Sequence, residues 1–223
     1  MGAVQNQVVI ITGAGAGLGR ETALLLAQAG ANIAACDLST AKVKRLQSEL
    51  YALQKNAYVA VADISHEAVA DHFVQETIAR FGRIDVLINN AALYENYLLA
   101  ETSKESWDYQ FINNVNSVFF MTKACIPVMR EQKHGQIISL TSSLAKTGGV
   151  GFGSYSASKA AIETLTYTVQ EEEAQNGITA NVLNPGVMRT DMQTTGTDPS
   201  IVARKLVQWL QEYEQKSGQV VAL

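Results

Sequence analysis

The chain has 223 residues, 47% of them hydrophobic and 17% charged, with a formal net charge of −4 and a pI near 5.4. That length holds one α/β domain or two small ones, with apolar material for a large core. An acidic chain without a basic run argues against a nucleic-acid partner, and no apolar run is long and glycine-free enough to cross a membrane.

The first residues, MGAVQNQVVIITGAGAG, lack the basic region and long apolar segment of a signal peptide. Gly2 follows Met1, but Asn6 stands where a myristoylation motif needs Ser or Thr. VVIIT (8–12) predicts a buried strand and ETALLLAQAG (21–30) a helix stopped by Gly30. A strand follows at 32–37, a helix at 39–55, a strand at 57–63 and a helix at 65–82 that ends on glycine. A fourth strand is expected at 85–90 and a long helix at 104–129, interrupted late by Pro127. A fifth strand (135–141), a helix (155–175), a sixth strand (178–185) and a helix (199–214) complete the alternation. GQVVAL (218–223) reads as a seventh strand or a tail.

Alternating apolar strands and helices imply a doubly wound parallel sheet of about seven strands, helices on both faces, in a single domain. Ligands on such sheets bind at the carboxyl ends of the strands. The loops after Thr12, Asp37, Asp63, Asn90, Thr141 and Pro185 should therefore share one edge. Cys36 and Cys125 lie far apart and read as reduced thiols of a soluble, cytoplasmic protein. His66, His72 and His134 have no metal-ligand spacing, so no metal is expected. Lys42, Lys44, Arg45 and Lys55 read as a solvated helix face.

TGAGAGLG (12–19) sits between the first strand and the first helix, the context that makes a glycine-rich string meaningful. Gly13 permits a tight turn, while Gly17 and Gly19 let backbone approach a pyrophosphate and pack the helix on the sheet. Gly15 and Leu18 belong to the same loop. Asp37 ends the second strand, where a carboxylate accepts from both adenosine ribose hydroxyls and repels a 2′-phosphate. NAD is favoured over NADP. A helix cap is the plainer role for Asp37, with Ser39 or Thr40 able to take it instead. Asp63 and Ile64 are candidates for the adenine, with Asp63 and Ser65 also readable as caps.

TGAGAGLG, NNAA (89–92), YSASK (155–159) and NPG (184–186), in this order and spacing, resemble the short-chain dehydrogenase/reductase family over nearly the whole chain. The resemblance implies a Rossmann-type fold, a nicotinamide cofactor and reversible alcohol–carbonyl chemistry. It implies Tyr155 and Lys159 as the family's YxxxK, Ser142 as the serine thirteen residues before the tyrosine, and Asn114 as the helix asparagine. Thr141 and Ser143 rival Ser142, and Asn113 and Asn116 rival Asn114. Residues i and i+4 of a helix share a face about 6 Å apart, so Lys159 should stabilise the Tyr155 phenolate and lower its pKa, as would an oxidised nicotinamide. Tyr155 then exchanges a proton with the substrate oxygen, Ser142 orients that oxygen, Lys159 holds the nicotinamide ribose and Asn114 anchors a water. Asn90 and Ala91 are expected against the adenosine ribose, and Pro185, Gly186, Val187 and Thr190 along the nicotinamide.

The family usually has glycine where Ala92 stands, which leaves open how closely backbone approaches the cofactor there. Leu93, Tyr94, Leu144, Phe152 and Met188 are expected to border a partly apolar substrate, with core or lid packing the other option. Only DMQTTGTD separates PGVMRT from the next helix, a short lid, and the family's usual terminal DGG is missing. A homodimer or homotetramer is expected, its long helices pairing across a two-fold axis. The leading function is an NAD-dependent alcohol dehydrogenase or carbonyl reductase. The alternatives are an NADPH-linked 3-oxoacyl or pterin-type reductase and a non-catalytic NAD-binding sensor.

Overall fold

A computed structural model describes residues 4–53, 56–190, 194–212 and 220–223. Seven strands form one sheet in the order β3-β2-β1-β4-β5-β6-β7, and every pairing is parallel. They are β1 (Val8–Thr12), β2 (Asn32–Asp37), β3 (Ala57–Val61), β4 (Val86–Asn89), β5 (Gly135–Leu140), β6 (Ile178–Asn184) and β7 (Val220–Ala222). The fold is thus the Rossmann-type α/β arrangement expected. The GQVVAL segment contributes a strand, and its residues 218–219 lie outside the described residues.

The β1 strand is buried throughout because both faces of the sheet are covered. On one face, α1 (Gly17–Gln28), α2 (Thr40–Ala52) and α8 (Pro199–Glu212) pack against Val9, Ile11, Ile33, Val86, Ile88 and Leu183. On the other lie α3 (Glu67–Phe81), α5 (Ser117–Gln132) and α7 (Gly153–Glu173), over Ile10, Ala34, Leu87, Ile137 and Ala180. Fully burying each large aliphatic side chain contributes about 1.5–3 kcal/mol. The order of strands reverses between β1 and β4, so their following loops diverge and open a crevice at the carboxyl edge.

Several boundaries differ from expectation. The first helix begins at Gly17 inside the glycine loop, four residues earlier than the apolar pattern indicates. The expected helix at 104–129 is three pieces: α4 (Lys104–Phe111), a π-helical turn (Ile112–Asn116) and α5. Pro127 does not break α5, which runs on to Gln132; the proline is exposed, so the carbonyl it leaves unbonded faces water. The helix expected at 39–55 starts at Thr40, capped by Ser39, whose side chain accepts from Lys42 N. Residues 54–55 lie outside the described residues, as do 213–214 of the last expected helix. A short helix α6 (Leu144–Thr147) and two 3-10 turns, Leu99–Glu101 and Ala174–Asn176, have no counterpart in the apolar periodicity.

After β6 the chain makes a tight return. Met188 bridges Thr197, Arg189 N donates to Thr197 O at 2.9 Å, and Thr197 N donates to Val187 O at 2.9 Å. Arg189 pairs with Asp198 at 3.2 Å, just before α8. This is the segment read as a short lid; its residues 191–193 lie outside the described residues. No described helix is long and apolar enough to cross a membrane.

Candidate active site

The crevice at the carboxyl edge is a cleft of about 660 Å³. Among its walls are Gly13, Gly17, Leu18, Asp37, Asp63, Ile64, Asn90, Ala91, Tyr155, Lys159, Pro185 and Thr190. Leu93, Tyr94 and Met188 line it as well. Most of the residues expected to bind a dinucleotide and substrate are thus brought together from the ends of separate strands.

The phosphate loop is shaped by what it cannot hold. Gly13 has φ +61, and a Cβ there would stand 2.7 Å from Ala91 Cα. A Cβ on Gly19 would meet Asn90 Nδ2 at 2.5 Å and Gly13 O at 2.6 Å, so the start of α1 presses directly on the turn. No side chain caps α1 and no acidic residue occupies its first turn, which leaves its amides and partial positive charge for an anion. Asn90 ties the end of β4 to the loop by donating to Thr12 O at 2.8 Å and Gly13 O at 3.0 Å. Thr12 completes the latch, its Oγ1 accepting from Asn90 N and Ala91 N, both at 3.0 Å.

Asp37 Oδ2 accepts from Gly15 N and Oδ1 from Ser39 N, both at 2.9 Å. The carboxylate therefore braces the loop, and the capping of α2 falls to Ser39. Gly15 lies behind it rather than in the cleft wall; a Cβ there would strike Lys42 Cβ at 2.6 Å and Asp37 Cγ at 2.8 Å. Asp63 Oδ1 accepts from Ser65 N at 3.1 Å and Ser65 Oγ at 2.6 Å, a local cap that still lines the cleft. Gly186 and Val187 do not line it: Val187 is 60% exposed and its carbonyl is taken by Thr197. Ala92 does line it. Among the described non-glycine residues only Asn6 and Lys133 have positive φ, so Ala92 needs no glycine-like backbone.

At the other end, α7 presents Tyr155 and Lys159 one turn apart. Ser142 lies close enough to Tyr155 to favour its phenolate. Ser142 is not among the cleft walls, whereas its rival Thr141 is; Thr141 Oγ1 donates to Glu163 Oε1 at 2.7 Å, and Ser143 is exposed. Asn113 lines the cleft, whereas its rival Asn114 is fully buried and does not. Its Oδ1 accepts from Leu93 N at 2.8 Å, and its Nδ2 donates to Leu93 O at 2.8 Å and Ser158 Oγ at 3.1 Å. The side chain thus pins the loop after β4 to α7, and the π-helical turn is what carries it inward.

Lys159 is 3% exposed and donates to Leu140 O at 2.9 Å. Burial lowers its pKa to about 8. Its Nζ lies 5.7 Å from the centre of the Tyr155 ring. The expected lowering of the Tyr155 pKa does not arise from the protein's own groups. Burial raises it, outweighing the nearby Ser142 hydroxyl, which acts the other way, and Tyr94 adds to the rise. The ammonium is aimed at a carbonyl, and desolvation opposes phenolate.

Leu144 and Phe152 stand apart from the cleft wall. Leu144 N donates to Ser142 Oγ at 3.3 Å. Phe152 packs behind the tyrosines, its ring 5.3 Å from Tyr94 and 6.4 Å from Tyr155 between centres. The motifs gave no site role to Thr12, Ser117 or Lys42, and Thr141, a rival of Ser142, lines the cleft. Thr12 had a signal, as the last strand residue before the glycines; Lys42 had none, because only α2's orientation brings it beside Asp37. Cys36 and Cys125 are buried free thiols, both pushed up by burial, Cys36 to about 12. Among the described residues no cluster of His, Cys, Asp or Glu could hold a metal.

A sequence model of the family described as "short chain dehydrogenase" matches residues 7–200. The chain belongs to the short-chain dehydrogenase/reductase family. It is 38% identical over 189 residues to the (2S)-[(R)-hydroxy(phenyl)methyl]succinyl-CoA dehydrogenase subunit BbsD of Thauera aromatica, covering 85% of this chain and 76% of that one. It is 37% identical over 194 residues to a 3-oxoacyl-[acyl-carrier-protein] reductase of Synechocystis, covering 86% and 78%. A 3-oxoacyl-[acyl-carrier-protein] reductase FabG of Thermotoga maritima is 33% identical over 189 residues, covering 85% and 77%. As a short-chain dehydrogenase/reductase the protein is an oxidoreductase that uses a nicotinamide dinucleotide. The glycine cradle and the uncapped α1 terminus fit that group's pyrophosphate.

Proposed function

We propose that the protein interconverts an alcohol and a carbonyl with NAD(H), using Ser142, Tyr155, Lys159 and Asn114. The observation that carries this is Tyr155 and Lys159 lying in the wall of the same cleft that Asp37 lines. Gly13, Gly17, Leu18 and Gly19 would hold the pyrophosphate, with Gly15 braced behind them. Asp37 would take the adenosine ribose, Asp63 and Ile64 the adenine, and Asn90 and Ala91 the adjoining sugar. Lys159 would hold the nicotinamide ribose beside Pro185 and Thr190, with Gly186 and Val187 continuing that loop. When bound, the cofactor supplies or accepts a hydride.

Tyr155 Oη gives a proton to the carbonyl oxygen, or takes it from the alcohol, while Ser142 Oγ orients that oxygen. A phenol held protonated by burial is ready as the acid of carbonyl reduction. The reverse direction needs more positive charge near it, and an oxidised nicotinamide has that sign. Asn114, bonded to Leu93 and Ser158, would fix Leu93 and the floor of the site. Leu93, Tyr94 and Met188 favour a partly apolar small molecule.

A second reading, an NADPH-linked 3-oxoacyl reductase, has two supports: the likeness to the Synechocystis and Thermotoga 3-oxoacyl-[acyl-carrier-protein] reductases, and Lys42 beside Asp37 in the cleft. Titration of tryptophan fluorescence with NADH and NADPH separates the two. Asp37 predicts NADH tighter by about tenfold or more, from repulsion of a 2′-phosphate; tighter NADPH refutes the NAD assignment. A panel of ethyl acetoacetate, acetoacetyl-CoA, cyclohexanone and benzaldehyde, followed by nucleotide absorbance, should contain a substrate. Tight nucleotide binding with silence across it would favour a sensor.

We propose further that a second copy of this chain covers α4 and α5, giving a homodimer or, with a second interface, a homotetramer. Support comes from Trp107, Tyr109, Ile112 and Phe119, large apolar side chains exposed along those helices. The cytoplasm is its proposed setting, and neither nucleic acid nor membrane its proposed partner.

A further inference from the structure

Two carboxylates of α7 are buried, Glu163 and Glu173. Arg130 pairs with Glu173, but the chemistry proposed above gives Glu163 no task. Glu163 is 8% exposed, and its hydrogen bond among the described residues comes from Thr141 Oγ1 at 2.7 Å. A buried carboxylate is costly to desolvate, and an apolar residue would fill the same volume at less cost.

Its position has a pattern. Tyr155, Lys159 and Glu163 fall at i, i+4 and i+8, one stripe of α7 at steps of about 6 Å. Three consecutive residues at the end of β5 face them: Leu140 O accepts from Lys159, Thr141 donates to Glu163, and Ser142 lies near Tyr155. Of the two hydrogen bonds, only Thr141–Glu163 joins two side chains, and neither is given a part in the reaction proposed above.

We propose that Glu163 is a positioning residue which, through Thr141, fixes the end of β5 so that Ser142 meets the Tyr155 hydroxyl. The role rests on the assignment of Ser142 and Tyr155 above. A small misplacement of a reacting group costs up to about a hundredfold in rate. Loss of the tie should therefore lower kcat while leaving binding of the nucleotide, assigned above to other residues, nearly intact.

The test is a double-mutant cycle on the full chain, using NADH and the carbonyl of the panel reduced fastest. Thr141→Val and Glu163→Leu should each lower kcat about tenfold or more, with KM and the NADH dissociation constant changed less than about threefold. The double variant should be no slower than the slower single one, because both remove one interaction. Thr141→Ser and Glu163→Gln, which keep a donor and an acceptor, should recover most of the loss. Single variants within about twofold of the parent kcat, or losses that multiply in the double, overturn the role. Should Glu163→Leu fail to fold, Thr141→Val against Thr141→Ser carries the same comparison. Tyr155→Phe is the reference: turnover surviving there overturns the site assignment together with this role, whereas a dead Tyr155→Phe beside a fully active Thr141→Val overturns this role alone.

Discussion

Lys159 is the residue on which the electrostatics of the cleft turn. It is nearly inaccessible, and burial moves its pKa from 10.5 to about 8. Below pH 8 the side chain is charged in both folded and unfolded chains, and the folded state bears the whole desolvation penalty. Above about pH 10.5 it is neutral in both, and the penalty is gone. Stability from this group therefore rises with pH between those values. Lys159→Met should be more stable than the parent at pH 7 by up to roughly 3 kcal/mol, with the advantage shrinking as pH approaches 10. Urea unfolding at several pH values measures this, and an advantage independent of pH would contradict it. The residues of the candidate cleft were legible where the motif letters and the i, i+4 spacing of Tyr155 and Lys159 are local. Their partners were not: Gly15 to Asp37, Leu93 to Asn114 and Thr141 to Glu163 each join residues about twenty positions apart. The direction of the Tyr155 shift was misjudged for the same reason, since helical spacing says nothing of how deeply a phenol is buried or where a neighbouring ammonium points.

At the scale of elements, strands were more legible than helix ends. A strand buried on both faces is a continuous apolar run, and VVIIT and NIAACD show one or close to it. The start of α1 was hidden because Gly17 and Gly19 are poor helix formers; close packing on Asn90, not propensity, holds the chain there. The π-helical turn between α4 and α5 left no trace in the apolar pattern, yet it carries Asn114 to its contacts with Leu93 and Ser158. A π turn inserts one residue into the helical register and commonly accompanies a functional position. Pro127 misled in the opposite direction, because a proline on a solvent-facing stripe leaves the freed carbonyl to water and the helix continues.

For the whole molecule, the order of strands decides where chemistry can occur. The reversal between β1 and β4 puts the glycine loop, the end of β4 and the start of α7 around one cleft. The apolar belt of Trp107, Tyr109, Ile112 and Phe119 belongs to this scale too. Sedimentation velocity at micromolar concentration should find a dimer or tetramer, and Phe119→Asp should shift it toward monomer; a monomeric parent chain would contradict the proposed pairing. The central claim, that the phenol of Tyr155 moves the substrate proton, is tested most directly by Tyr155→Phe, which removes one oxygen and keeps the ring packed on Tyr94 and Phe152. The account predicts a fall in kcat of about a hundredfold or more with NADH affinity within about threefold of the parent. Turnover above a few per cent of the parent, with that affinity intact, would contradict it.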